Sequence, residues 1–101
     1  MRMIMNITLP NGPFNDAVRT GTAAATIKKI LAAVKPEAAY FTEQDGLRGA
    51  TLVVDVGSAS EIPALAEPWF LNFDAECEFR IAMTAEDLER AGLAALGQKW
   101  G

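Results

Sequence analysis

The chain has 101 residues, half of them hydrophobic and 22% charged, which is enough apolar content for one folded domain and excludes a disordered polymer. A net charge of -4, carried by 13 acidic and nine scattered basic residues, opposes a nucleic-acid role, since phosphate-backbone affinity comes largely from clustered Lys and Arg. With no histidine and one cysteine, the usual zinc, haem and Ser-His-Asp chemistries lose their key residue, and an intramolecular disulfide is excluded.

The N-terminal stretch Met1 to Leu9 alternates apolar odd positions with Arg2, Asn6 and Thr8, the period of a strand. Asn11-Gly12-Pro13 breaks it. Apolar residues then recur at helical spacing from Phe14 to Val34, predicting one long amphipathic helix that Pro36 stops. Two strand-like runs follow, Ala38 to Gln44 and Arg48 to Val56, joined by Asp45-Gly46, a dipeptide suited to a two-residue type I′ turn. That turn sets a register in which Glu43 faces Arg48, Tyr40 faces Thr51 and Ala39 faces Leu52. Glu43 and Arg48 then form an exposed cross-strand pair.

Ser58 and Glu61 have capping-box spacing, with Ser60 an equal candidate for the N-cap, and open a second helix. Its buried stripe is Ile62, Leu65, Ala66, Trp69 and Phe70, and Pro68 should end or kink it near Glu67. A fourth strand over Ala75 to Met83 puts Cys77, Phe79, Ile81 and Met83 on one face and Glu76, Glu78 and Arg80 on the other. Thr84, with Asp87 three residues on, caps a last helix through Leu96.

The order is β-α-β-β-α-β plus a C-terminal helix, a ferredoxin-like α+β domain spanning residues 1-101. Right-handed crossovers put both main helices on one face of a four-stranded antiparallel sheet with strands one and three central. The other face carries Ile4, Asn6 and Thr8, then Tyr40 and Thr42, Thr51, Val53 and Asp55, and Glu76, Glu78 and Arg80. Back-to-back packing of two copies is the natural cover for so mixed a face, giving a homodimeric α/β barrel.

On this layout the chain resembles the superfamily of dimeric α/β barrels, which includes muconolactone isomerases and small cofactor-free monooxygenases. The stretch LVVDVGSASEIPALAEPWFLNFDAECEF, Leu52 to Phe79, is similar to the muconolactone isomerase pattern: a strand ending in an aspartate, a Ser-initiated helix, a proline-aromatic helix end and a final strand. The blocks KPEAAYFTEQ, RGATLVVDV and PALAEPWFL also resemble short bacterial proteins, a likeness that implies no activity. The first resemblance implies work on a small organic acid without metal or organic cofactor, and it transfers no catalytic residue by position.

Candidate residues come from the face a dimer would enclose. Tyr40, Asp55, Glu78 and Arg80 make the catalytic candidates: a desolvated carboxylate as general base, Arg80 for an anionic substrate, Tyr40 to donate or relay a proton. Asn6, Trp69 and Phe70 are the ligand-binding candidates, with Trp69 stacking on an unsaturated ligand. Against these stand an interface in which Asp55 or Glu78 pairs with Arg80 or Arg2, and a core aromatic pair at Trp69-Phe70, which are the commoner fates of such residues. These alternatives separate a small-molecule enzyme from a non-catalytic binding or assembly module. Cys77, on the apolar face, should stay protonated, and Trp100 should anchor the tail to its own domain or to a partner. No apolar run spans a bilayer and the N-terminal stretch lacks a signal peptide's pattern, so a cytoplasmic protein with no membrane or nucleic-acid partner is expected.

Overall fold

In the computed structural model of the chain, the N-terminal alternation becomes strand β1 (Arg2–Leu9), whose odd residues Met3, Met5, Ile7 and Leu9 are buried. Helices α1 (Asn11–Thr20) and α2 (Ala23–Val34) follow, then the hairpin β2 (Ala38–Gln44) and β3 (Leu47–Asp55). A 3-10 turn (Ala59–Glu61) leads into α3 (Ile62–Phe73), β4 (Glu76–Ile81), α4 (Ala85–Arg90) and α5 (Leu93–Trp100). The four strands form one antiparallel sheet in the order β2-β3-β1-β4, with β1 and β3 central as expected.

The hairpin register is the expected one: Glu43 opposite Arg48, Tyr40 opposite Thr51, Ala39 opposite Leu52. It is fixed by the turn, where Asp45 and Gly46 both hold positive φ (52° and 82°), the backbone of a type I′ turn that matches the strands' own twist. The Glu43–Arg48 ion pair does not form. Glu43 instead accepts the Gly46 backbone N–H at 2.9 Å, while Arg48 donates to Asn15 Oδ1 at 2.8 Å and lays its guanidinium 4.7 Å from the Phe14 ring centre.

Three helical expectations are corrected. Asn11-Gly12-Pro13 ends the strand as expected, but the helix already begins there and not at Phe14: the three residues form the first turn of α1 behind Pro10, where the first four amides have no intrahelical acceptor and Pro13 removes nothing. The long first helix is broken in two at Gly21, whose φ of 74° ends α1, while Gly21 and Thr22 donate back to Val18 and Ala17 at 3.1 and 2.9 Å. Thr20 Oγ1 competes for the same turn, donating to the Asp16 and Ala17 carbonyls at 3.0 and 3.2 Å. The C-terminal helix is likewise two helices parted at Gly92 (φ 72°).

Pro68 does not end α3 at Glu67; the helix runs on to Phe73. The carbonyl that Pro68 cannot serve belongs to exposed Ala64, where solvent can satisfy it, and Asn72 Nδ2 caps the Pro68 carbonyl at 2.7 Å. Burial of Trp69 and Phe73, each contributing about 1.5–3 kcal/mol, holds the last turns against the sheet. Phe73 therefore takes the core place expected of Phe70, which is 36% exposed.

All the helices of the body lie on one sheet face. There Met5, Ile7, Leu9, Leu52 and Val54 meet Phe14, Ile30, Trp69 and Phe73, with Phe14 and Phe73 rings 5.1 Å apart. The opposite face has no helix over it. Past β4 the chain leaves this body: every residue from Leu88 to Gly101 is exposed, and the molecule extends 60 Å along its longest axis.

Candidate functional site

Strand pairing assembles the open face row by row. Because side chains alternate across a strand, register alone decides which residues share a row. One row runs Tyr40, Thr51, Asn6, Glu78 across all four strands; the next toward the β4 end runs Ala38, Val53, Ile4, Arg80. Asn6, Glu78 and Arg80 are thereby neighbours on β1 and β4, Tyr40 stands at the opposite edge of the sheet, three strand spacings or roughly 14 Å from Glu78, and Asp55 lies at the end of the same face opposite Arg2. Trp69 and Phe70 are not. Trp69 is 0% exposed in the layer between α3 and the sheet, on the far side from Tyr40, and Phe70 lies on the outer surface of α3.

Hydrogen bonds give the face its chemistry. Thr51 Oγ1 donates to Asn6 Oδ1 at 2.9 Å, which fixes the amide so that its N–H groups are left to donate elsewhere. Arg80 lies 3.6 Å from Glu78 on the same strand, Arg2 holds Glu37 at 2.9 Å from β1, and Asp55 accepts from the Met1 amino group at 3.0 Å. That hydrogen bond and the ammonium charge hold the Asp55 carboxyl below its usual range. Tyr40, 69% exposed, stands at the β2 edge of the row with its hydroxyl unengaged. The face thus presents a cation, a phenol and an amide donor around an apolar centre at Ile4 and Val53, a set that can hold a carboxylate and transfer a proton beside it. Thr51 belongs to this group though it was not among the candidates; the Asp45-Gly46 turn had already placed it opposite Tyr40 on this face, and its hydrogen bond to Asn6 is what adds it to the site.

On the helix side, a separate apolar pocket of about 220 Å³ opens between Met1, Val56, Ile62 and Ile81. Its Ser58 loop is locked by Glu61, whose carboxylate accepts the Ser58 N–H at 2.8 Å and that of Gly57. Cys77 is half-buried against the core, and desolvation pushes its thiol up to about 11. No group of three or more Cys, Asp and Glu side chains is placed to hold a metal ion, and no helix is long and apolar enough to cross a membrane.

No protein-family model matches the chain, and no curated protein matches it. Among solved structures it is similar to TftG, the 5-chloro-2-hydroxyhydroquinone dehydrochlorinase of Burkholderia phenoliruptrix AC1100, in complex with 2,5-dihydroxybenzoquinone. The two share 15% identity and a TM-score of 0.60 over 85% of this chain and 97% of that one. The chain has the ferredoxin-like fold. A de novo designed protein, Ferredog-Diesel (12% identity, TM-score 0.43, 79% and 83% covered), aligns more loosely. So does Atu4242 of Agrobacterium tumefaciens (12%, 0.42, 84% and 96%), and neither bears on function.

Proposed function

We propose that two copies close their open sheet faces on each other as an α/β barrel and that the enclosed space takes a small, partly apolar organic acid, on which the protein acts as a cofactor-free catabolic enzyme. The observation that carries the reading is the single polar row Tyr40, Thr51, Asn6, Glu78 with Arg80 beside it, running across a face with no helix over it. Arg80 pairs with the substrate carboxylate, displacing Glu78, which accepts a proton from the substrate and returns it to the product; the Asn6 amide orients the acid and Tyr40 bounds the far edge of the enclosed space. Asp55, held by the Met1 amino group, borders this site. The likeness of Leu52 to Phe79 to the muconolactone isomerase pattern supports an isomerase or monooxygenase type of reaction. That a dehydrochlorinase shares the fold supports a catabolic setting.

Thermal unfolding with benzoate, hydroxybenzoates and hydroxyquinones tests it, because a ligand that binds only the native state adds about 2.7 kcal/mol at a hundredfold excess over its Kd. Stabilisation by at least one of these acids that Arg80→Ala abolishes is the expected result. No stabilisation by any of them, or stabilisation that Arg80→Ala leaves intact, overturns the site.

One observation favours a second reading: most charges of this face are already matched, Glu78 by Arg80, Arg2 by Glu37 and Asp55 by the Met1 amino group, with Glu76 left over. A closed dimer that keeps those pairs and holds no ligand is a non-catalytic binding or assembly module.

A further inference from the structure

The C-terminal arm is apolar on one side and rests on nothing. Leu93, Leu96 and Trp100, spaced three and four apart, form one stripe along α5, exposed by 57%, 44% and 77%. With Leu88 they project from a chain whose radius of gyration is 17.1 Å, against about 13 Å for a compact domain of this length. So much solvent-facing leucine and tryptophan marks a contact surface.

A groove of matching pattern lies elsewhere on the molecule. Ala24, Ile27 and Leu31 repeat the same three-and-four spacing along α2, and with Phe41 of β2 they line an open apolar groove of about 390 Å³, the Lys28 stem at its rim. It flanks β2, an edge strand with one side unpaired, a position that proteins generally protect. The groove is at the sheet edge opposite to β4, where the arm begins, so an arm folding back would have to cross the whole sheet of its own chain.

We propose that α5 of one copy seats its Leu93, Leu96 and Trp100 stripe in the Ala24, Ile27, Leu31 and Phe41 groove of a second copy, and the reverse. This rests on the sheet-to-sheet dimer proposed above. A two-fold axis along the strands sets β4 of each copy over β2 of the other, so each arm starts beside the edge it must wrap. The arm is net acidic where α2 is basic: α2 carries Lys28 and Lys29 and no acid, whereas the arm carries Glu86, Asp87 and Glu89 against Arg90 and Lys99. Size agrees too. One tryptophan and three leucines at these exposures cover on the order of 500 Å². Two arms would bury about 1,000 Å² of their own surface, which adds to the sheet-to-sheet contact in reaching the area of a stable interface.

Disulfide trapping tests the pairing in full-length chains carrying Cys77→Ala. Ile27→Cys is placed in one chain and Leu96→Cys in another of distinguishable mass; both positions are central in their stripes, so the direction of packing does not matter. On oxidation the mixture should form the mixed dimer at least tenfold faster than either chain alone forms its own, and a chain carrying both substitutions should link between copies. Leu31→Cys with Leu93→Cys or Trp100→Cys replaces any variant whose circular dichroism shows it unfolded. A link within one chain, or none, overturns the proposal. If the unmodified protein still sediments as a dimer in that case, only the arm's docking falls; a monomer mass removes the sheet-to-sheet dimer as well.

Discussion

Trp69 offers a sharp test of the core, because it combines complete burial with an indole N–H that finds no acceptor in the protein. Two substitutions separate those features. Trp69→Ala removes the ring from between α3 and the sheet and leaves a void beside Phe73, whose ring centre is 6.4 Å away; deletions of this kind cost about 3–5 kcal/mol. For a chain of 101 residues, with a total stability of roughly 5–15 kcal/mol, that is a large fraction. Trp69→Phe keeps most of the ring and also deletes the unpaired donor, whose burial costs about 1–3 kcal/mol. The lost ring volume and the recovered desolvation oppose each other, so this variant should lie within about 1 kcal/mol of the parent. Urea unfolding followed by far-ultraviolet circular dichroism measures both without relying on the fluorophore being changed. If Trp69→Phe costs as much as Trp69→Ala, the indole N–H has a partner in the folded protein and this description of the core is wrong.

Gly49→Ala should cost about 1–3 kcal/mol in the same assay, because a Cβ there would stand 2.9 Å from Gln44 Cβ and 3.2 Å from the Ile7 carbonyl oxygen; an unchanged midpoint refutes that crowding. Cys77, with its thiol pushed up to about 11 by burial, should react with iodoacetamide at pH 8 much more slowly than a free cysteine thiol, and a rate equal to the free thiol's contradicts the burial. Asp87, held low chiefly by the Thr84 backbone N–H and then by its hydroxyl, should titrate below the ordinary carboxylate value of about 4 in carboxyl NMR. Since the folded state holds its proton less tightly than the unfolded one, this cap supports α4 fully above about pH 4 and fails as pH falls through the lowered value. Thr84→Ala should raise the midpoint, and an unmoved one refutes the cap.

The sheet was legible because its signals are local and geometric. Alternation in the strands and a turn that demands two positive φ values determine which residues share the open face and pair Tyr40 with Thr51, whereas the long-range registers that bring Asn6 and Glu78 into that row have no local signal. The helices were less legible. The apolar spacing of α1 continues in phase into α2, and periodicity does not register a left-handed glycine or the Thr20 hydroxyl that takes the carbonyls of the last turn. Pro68 misled for a related reason: its cost depends on whether the abandoned carbonyl reaches solvent, which the sequence does not say. The site reading joined two layers. Trp69 belongs to the helix-to-sheet core and Tyr40 to the opposite face, and a helical stripe shows that a residue is buried without showing against what. The same silence hid the arm, since Leu93, Leu96 and Trp100 have a core helix's pattern and no core of their own to fill.

The most direct test of the account is the mass of the protein in solution, by sedimentation equilibrium, before and after Val53→Glu at the centre of the open face. The account predicts twice the 10.8 kDa chain mass for the unmodified protein and the single-chain mass for the variant. A single-chain mass for the unmodified protein, or a dimer that survives Val53→Glu, would contradict it.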